Sequence, residues 1–218
     1  MLISCWSAKG GVGTTVVATA LALVLARSSP SGAVLADLAG DGPAVLGLPD
    51  QGDPGLSGWL MAGPGVPADA LARLELDVGS GLSLLPSGSS PPSGPSERGE
   101  VLAGLLASDS RPVVADCGRI DCSDAAVALA SGATHSLLVT RACYLALRRA
   151  AAAPVRPSGV ILLTEAGRAL GRADVESVVG APVRAEIAVD PAVARAVDAG
   201  VLSARLPRGL ERALRYAA

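Results

Sequence analysis

The stretch LISCWSAKGGVGTT, residues 2–15, decides the fold of this chain. A short apolar run enters a glycine-rich turn, and a helical pattern begins near Thr14. Glycine adopts backbone conformations closed to residues with a Cβ, so consecutive N–H groups can converge on one anion. The free amides and positive dipole end of the next helix also favour phosphate. We therefore expect a phosphate-binding loop, made by Gly10, Gly11, Val12, Gly13, Thr14 and Thr15.

The basic residues of the chain are distributed unevenly. Lys9 is the only lysine, while the other 17 basic side chains are arginines. The standard loop reads G-x-x-x-x-G-K-S/T, and here Ala8 replaces its first glycine and Thr14 replaces its lysine. Thr15 keeps the hydroxyl that ligates Mg²⁺ in such loops. The alternative interpretation is a glycine-rich turn that binds no ligand.

Strand and helix patterns alternate along the whole chain, which favours a mostly parallel sheet covered on both faces. We expect one doubly wound α/β domain over residues 1–218, with a flexible Pro/Ser/Gly loop at 86–96. Predicted strands span 2–6, 33–37, 82–85, 112–116, 135–140, 160–163 and 182–187. Predicted helices span 15–27, 68–74, 97–107, 124–131, 144–152, 172–179, 191–199 and 207–217.

Two acidic residues end apolar strands of this pattern, Asp37 and Asp116. Open parallel sheets bind ligands at the carboxyl ends of their strands, so both carboxylates are expected beside a phosphate on the glycine loop. The alternative for each is a local role as a turn former or helix cap.

The pattern x-K-G-G-x-G-T-T at residues 8–15 resembles the deviant Walker A loop of the ParA/MinD family of P-loop ATPases. The fuller form of that loop is K-G-G-x-G-K-S/T. The resemblance implies ATP and Mg²⁺ as cofactors and a nucleotide-sandwich homodimer, in which Lys9 reaches the ATP of the partner subunit as a catalytic residue. The loop is most similar to the CpaE/TadZ branch, which is associated with Tad/Flp pilus assembly.

The same resemblance assigns roles to the acidic residues. Residues 34–41 resemble the family's D-x-D motif, with Asp37 as the first Asp, Ala39 in place of the second, and Asp41 as the candidate catalytic substitute. Residues 113–119 resemble the Walker B and switch II segment. The implied metal-binding residues are Thr15, Asp37 and Asp116.

The base-binding end of the family's site is only partly matched. Asp190 and Pro191 lie in a segment that resembles the loop near the base. Many relatives end the preceding strand with an Asn that reads adenine, whereas this chain has Thr164 and Glu165. The choice between adenine and guanine therefore stays open.

The resemblance leaves three functional interpretations open. The first is an ATP-binding, ATP-dependently dimerising protein with weak hydrolysis that helps to localise or assemble a pilus-type secretion apparatus. The second is a pseudo-ATPase that acts as a structural adaptor. The third is a chromosome- or plasmid-partitioning or septum-site positioning ATPase.

Composition narrows the partners and the compartment. A net charge of −2 supplies no general attraction to nucleic acid. The four cysteines and single histidine have no metal-ligand spacing, which favours reduced thiols in a cytoplasmic protein. No signal peptide is expected from residues 2–6. The predicted location is therefore cytoplasmic, with a polar or peripheral position at the inner membrane face as a variant.

The C-terminal segment combines leucines and arginines. Leucines recur every four residues from 202 to 214, with arginines between them, which is an amphipathic basic pattern. Pro207 and Gly209 interrupt it. The alternatives are weak membrane contact, DNA binding, or a last helix packed on the sheet with its arginines in solvent.

Overall fold

The computed structural model describes residues 1–63, 65–67, 69–90 and 94–217, and its central element is one eight-stranded sheet. The strands are β1 (Leu2–Ser7), β2 (Ala33–Asp37), β3 (Leu76–Gly79), β4 (Leu82–Leu85), β5 (Val113–Arg119), β6 (His135–Arg141), β7 (Gly159–Thr164) and β8 (Val183–Ala188). They lie in the order β3-β4-β2-β5-β1-β6-β7-β8. Only the β3–β4 pair is antiparallel among these pairings.

Helices cover both faces of the sheet. They are α1 (Thr14–Ser28), α2 (Gly42–Leu46), α3 (Leu56–Met61), α4 (Ser96–Ala107), α5 (Asp124–Gly132), α6 (Tyr144–Ala151), α7 (Arg172–Val179), α8 (Pro191–Asp198) and α9 (Arg208–Leu214). Helices α1, α2, α8 and α9 contribute to the core on one face. Helices α3 to α7 contribute to the core on the other.

Burial on both faces explains why the central strands are continuous apolar runs. All residues of β1 and β2 are buried, as are the first five of β5. The edge strand β8 instead alternates buried and exposed residues. Strands β2, β5 and β1 are neighbours and run parallel. Their carboxyl ends therefore meet at one edge of the sheet, beneath the loop that follows β1.

The predicted fold class is confirmed, and the predicted elements differ from the observed ones mainly in short segments. The sequence interpretation missed β3, α2 and α3. Helix α2 has only five residues and begins with Gly42 and Pro43, so it is too short to show helical periodicity. The helix predicted at 68–74 is wrong over half of its described part, because only Ala72–Leu74 is helical, as a 3-10 turn; residue 68 lies outside the described residues.

The predicted flexible loop at 86–96 includes residues 91–93, which lie outside the described residues. Its described N-terminal part contacts the start of α3. The carbonyls of Pro86 and Ser87 accept hydrogen bonds from the amides of Leu56 and Ser57 at 2.8 and 2.9 Å. This part of the segment is therefore tied to the rest of the domain.

The C-terminal leucines are turned into the protein. Leu202, Leu206, Leu210 and Leu214 are at most 7% exposed, and α9 packs on α1 and β8. The arginines at 205, 208, 212 and 215 are exposed. Of the alternatives for this segment, the structure has the packed last helix, and it leaves no apolar face of these leucines for insertion into a bilayer. Within the described ranges, no helix is long and apolar enough to cross a membrane.

Candidate functional site

The loop between β1 and α1 has the backbone that its glycines predict. Gly11 and Gly13 have φ angles of 72° and 94°, in the left-handed region that favours glycine. Gly13 is the N-cap of α1 and has no side chain with which to cap the first amides. A Cβ added at Gly10 or Gly11 would meet no atom within 4 Å, so the backbone there borders open space. The loop therefore leaves helix amides free toward that space.

A cavity of about 700 Å³ lies against this loop. It is bounded by the glycine loop and the start of α1, the segment after β2, the end of β5 with the turn that follows, and the end of α8. Its lining includes Ser7, Gly10, Gly11, Gly13, Thr14, Thr15, Ala39, Asp41, Cys117, Gly118, Arg119, Cys122 and Asp198. The fold thus brings the predicted loop and Asp41 to one space.

Lys9 lies outside the lining of this cavity. It is half-buried, and its Nζ donates only a long hydrogen bond, 3.5 Å, to the carbonyl of Gly10. Thr14, in the position of the late lysine, is buried at 7% exposure but borders the cavity. Val12 is buried on the other side of the loop.

Asp37 ends β2 and holds the segment that follows it. Its Oδ1 accepts hydrogen bonds from the amides of Ala39 and Gly40 at 3.0 and 2.8 Å, and its Oδ2 accepts one from Gly42 at 2.9 Å. Burial raises the pKa of this carboxyl, and the three amide hydrogen bonds partly oppose the shift. Both oxygens are therefore engaged by backbone, so Asp37 shapes the loop 39–42.

Asp116 is fully buried, and only one of its two carboxylate oxygens has a hydrogen-bond partner among the described residues. Its Oδ1 accepts a hydrogen bond from the amide of Gly118 at 3.0 Å, whereas its Oδ2 has no hydrogen-bond partner among the described residues. Burial, and then the charge of Asp37, raise the pKa of Asp116 to about 7. The nearby Thr15 hydroxyl and the Gly118 amide lower it. An orphaned buried carboxylate oxygen is uncommon and calls for a partner such as an ion.

The donor set fits a magnesium nucleotide. Among the described residues no group of three or more His, Cys, Asp or Glu side chains is placed to hold a metal by itself. Mg²⁺ at phosphate sites does not need such a cage, because one or two protein ligands, waters and phosphate oxygens complete its shell. The Asp116 Oδ2 and the Thr15 hydroxyl, beneath a loop with free amides, meet that requirement.

Asp41 borders the cavity as an exposed N-cap of α2. Its charge is close enough to contribute to raising the pKa of both Asp37 and Asp116. Ala39, in the position of the second Asp of the D-x-D motif, is exposed and also borders the cavity. A carboxylate is therefore present at the site, two residues later than the motif has it.

A second cavity, of about 330 Å³, lies beside the first. It is mainly apolar, and its lining includes Val12, Val16, Leu163, Ile187, Val193, Val197, Arg141, Asp190 and Asp198. Asp190 caps α8 by accepting a hydrogen bond from the amide of Ala192 at 2.7 Å, and Pro191 is the first residue of that helix. Glu165, where many relatives approach the base, forms ion pairs with Arg141 and Arg168.

Sequence reasoning missed three charged residues that border these cavities: Arg119, Arg141 and Asp198. Arg119 is the last residue of the segment 113–119 that resembles Walker B and switch II, so its position was the one available signal. Arg141 ends the next strand, and Asp198 ends α8. Their approach to the cavities depends on sheet order and on helix packing.

A doubly wound, mostly parallel sheet with a glycine loop between its first strand and first helix has the P-loop NTPase fold. Solved structures that are similar to this chain in fold include ParA/MinD-type ATPases. A ParA family ATPase from Chlorobium tepidum TLS superposes with a TM-score of 0.80 at 20% identity, over 98% of this chain and 95% of its own. The MinD cell division protein of Aquifex aeolicus gives 0.79 at 19% identity, over 99% and 94%.

A third similar structure is the septum site-determining protein MinD from Pyrococcus horikoshii OT3 complexed with Mg-ADP. It gives a TM-score of 0.74 at 18% identity, over 99% of this chain and 93% of its own. No protein-family model matches this chain, and no curated protein sequence matches it. These likenesses establish the ParA/MinD-type fold over 98–99% of this chain.

Proposed function

We propose that this chain binds Mg-ATP as a ParA/MinD-type protein and dimerises when it does so. The observation that carries the proposal is the unsatisfied, buried Oδ2 of Asp116 near the Thr15 hydroxyl, beneath a glycine loop with free amides. The complex of a similarly folded MinD with Mg-ADP supports the choice of ligand.

Each part of the site has a role in this proposal. The amides of residues 10–15 hold the phosphates, and Thr15 and Asp116 hold Mg²⁺, which when bound neutralises phosphate charge. Asp37 supports them by fixing the loop 39–42, rather than by direct ligation. The apolar second cavity, with Asp190 and Pro191 at its edge, receives the base.

Hydrolysis by this site should be slow. Phosphoryl transfer depends almost wholly on positioning and charge. Thr14 and Ala39 remove a cation and a water-orienting carboxylate from the family's usual positions. Asp41 borders the same cavity and is the candidate to orient water in place of the missing Asp.

Lys9 is proposed to act in the homodimer. Its side chain is half-buried, lies outside the cavity lining, and makes one long hydrogen bond within its own subunit. That arrangement leaves the ammonium group available to a nucleotide in the facing subunit. The dimer itself is inferred from the resemblance of the loop.

The cellular role is proposed at two levels. The loop resemblance to the CpaE/TadZ branch favours a cytoplasmic, polar or membrane-peripheral protein that localises or assembles a pilus-type secretion apparatus. The similar structures, a ParA family ATPase and two MinD proteins, favour partitioning or septum-site positioning as the alternative. A DNA-binding version of the latter would have to use exposed arginines of the C-terminal segment, because the net charge is −2.

The runner-up from another class is a pseudo-ATPase that acts as a structural adaptor. It is favoured because Thr14 replaces the lysine of the standard loop and Ala39 replaces the second Asp of the D-x-D motif. Isothermal titration calorimetry of the purified protein with ATP, ADP and GTP, each with Mg²⁺ or with EDTA, separates the two functions. Saturable, Mg²⁺-dependent heat supports the proposal. No heat at millimolar nucleotide would reject it in favour of the adaptor.

A further inference from the structure

The cavity that lies against the glycine loop, where the phosphates are proposed to bind, has a deficit of positive charge. Among the described residues that line it, Arg119 is the one basic side chain, whereas Asp41 and Asp198 are acidic. The buried carboxyls of Asp37 and Asp116 lie beneath it. A triphosphate carries several negative charges, so amides and one Mg²⁺ would have to offset both the ligand and these acids. Thr14 supplies no charge where the standard loop has its lysine.

The backbone brings Arg119 to the start of the glycine loop. Arg119 is the register partner of Ser7 across the β1–β5 pair, and Ser7 is two residues before Lys9. The Ser7 hydroxyl donates a hydrogen bond to the carbonyl of Gly118 at 3.2 Å. Gly118 has a φ angle of 55°, and a Cβ there would lie 3.1 Å from the Cβ of Ala39. The end of β5 is thus held closely between the loop after β1 and the loop after β2.

The side chain of Arg119 is oriented but not fully used. Its Nε donates to Oδ1 of Asp121, while the side chain is 45% exposed. Cys122 is the other side chain that interacts with the guanidinium, and the two terminal nitrogens donate no hydrogen bond to an oxygen of the described residues. A guanidinium group held at Nε still presents a pair of N–H donors with the planar geometry that suits a phosphate.

We propose that Arg119 binds the β- and γ-phosphates of a nucleoside triphosphate from within the same subunit, in place of the missing loop lysine. The inference rests on the proposed nucleotide binding. Asp121 acts on the phosphates only through Arg119, as a positioning residue. The chain would thereby keep a cation in cis, supplied by the last residue of β5, three residues after Asp116, rather than by the loop.

Nucleotide affinity, measured without turnover, tests the assignment. We would titrate wild type, Arg119→Gln and Arg119→Lys with AMP, ADP and a non-hydrolysable ATP analogue in the presence of Mg²⁺. Arg119→Gln should lower the affinity for the ATP analogue by about tenfold or more, since a hydrogen bond to a charged group is removed. The loss for ADP should be smaller, and AMP should be unaffected. The affinity of Arg119→Lys for the ATP analogue should lie between those of wild type and Arg119→Gln, because lysine keeps the charge and lacks the planar pair of guanidinium donors.

Arg73→Gln is the matched control. Arg73 is also an exposed arginine paired with a nearby acid, Asp69, but it lies outside both cavities. The Arg73→Gln protein should bind AMP, ADP and the ATP analogue with the affinities of wild type. Circular dichroism should give each variant the helix content of wild type. If Arg119→Gln does not fold, the nucleotide affinities of Arg119→Lys and wild type still test whether Arg119 binds the phosphates.

A rescue experiment supplies the sharpest outcome. Adding Thr14→Lys to Arg119→Gln should restore the preference for triphosphate over monophosphate, because the charge returns from the loop. If wild type binds the analogue and Arg119→Gln binds it equally, the role of Arg119 is overturned while nucleotide binding stands. If wild type binds no nucleotide, the proposed function itself fails, and the inference with it.

Discussion

Asp37 and Asp116 are register partners on the adjacent parallel strands β2 and β5, and both are fully buried. They share a position but differ in their hydrogen bonds. Asp37 accepts three backbone amides, whereas Asp116 accepts one and keeps a free, buried oxygen. Of these two neighbouring carboxylates, one therefore holds a loop, and the other keeps an oxygen without a hydrogen-bond partner among the described residues.

The Mg²⁺ role of Thr15 predicts a selective loss. Thr15→Ala should weaken Mg-ATP binding by about tenfold, since one ligand of the metal is removed, and should leave the weaker binding in EDTA unchanged. Thr134→Ala is the control and should match wild type, because Thr134 directly precedes β6 and lies outside the lining of the cavity. Calorimetry with and without Mg²⁺ measures both. Equal losses with and without Mg²⁺ would reject metal ligation by this hydroxyl.

The trans role of Lys9 predicts that dimerisation and binding separate. Lys9→Ala should abolish dimerisation on addition of a non-hydrolysable ATP analogue, while weakening binding to the monomer much less. Arg156→Ala removes an exposed cation away from the cavities and should dimerise normally. Light scattering with and without the analogue distinguishes these results. A Lys9→Ala protein that still dimerises would refute the role in trans.

The two departures from the family's motifs predict a non-additive gain of activity. Thr14→Lys should tighten ATP binding yet leave hydrolysis slow. Thr14→Lys with Ala39→Asp should recover far more activity than either change alone, because both groups serve one transition state. Steady-state phosphate release measures all four proteins, and each factor of ten in rate is about 1.4 kcal/mol. Wild-type turnover equal to that of the double mutant would show that Asp41 or another group already fills the missing roles.

The raised pKa of Asp116 predicts how stability depends on pH in metal-free protein. The folded state binds this proton more tightly than the unfolded state, whose Asp has its ordinary pKa near 4. The contribution to stability is therefore full below about pH 4 and is lost as pH rises through about 7. Each pKa unit is about 1.4 kcal/mol, so the loss is a few kcal/mol at most.

Asp116→Asn should flatten that pH dependence, since the amide does not titrate. Denaturant unfolding in EDTA between pH 4 and 8 would measure the free energy of unfolding for both proteins. Asp37 has a raised pKa as well, so some slope should remain in the variant. An unchanged slope would mean that Asp116 does not titrate in this range.

The hydrogen bonds of Asp37 predict a structural role. Asp37→Ala leaves three backbone amides without an acceptor and should destabilise the protein by at least about 2 kcal/mol, given about 1–3 kcal/mol per unsatisfied buried group. Asp77→Ala is the control, because the exposed Asp77 accepts one amide, from Gly79. It should change stability by less than about 0.5 kcal/mol. Equal effects in urea unfolding would contradict the assignment.

The sequence by itself determined the elements whose signals are local. The glycines of residues 10–13 predict the turn because its φ angles at Gly11 and Gly13 are closed to other residues. The apolar run 33–37 predicts β2 at its observed bounds, because a strand buried on both faces must be apolar throughout. Asp37 and Asp116 were predicted near the loop because the carboxyl ends of parallel strands share one edge, whereas Asp41 was assigned to the site only by the resemblance to the D-x-D motif.

Only the tertiary structure decided how those residues are used. The three amides on Asp37 and the free oxygen of Asp116 depend on the path of the loops after β2 and β5, which no local pattern encodes. The burial of Leu202, Leu206, Leu210 and Leu214 depends on what α9 packs against, because one amphipathic pattern suits a core and a membrane surface equally. Arg119 borders the cavity at the glycine loop because sheet order places β5 beside β1, a contact between residues more than a hundred positions apart.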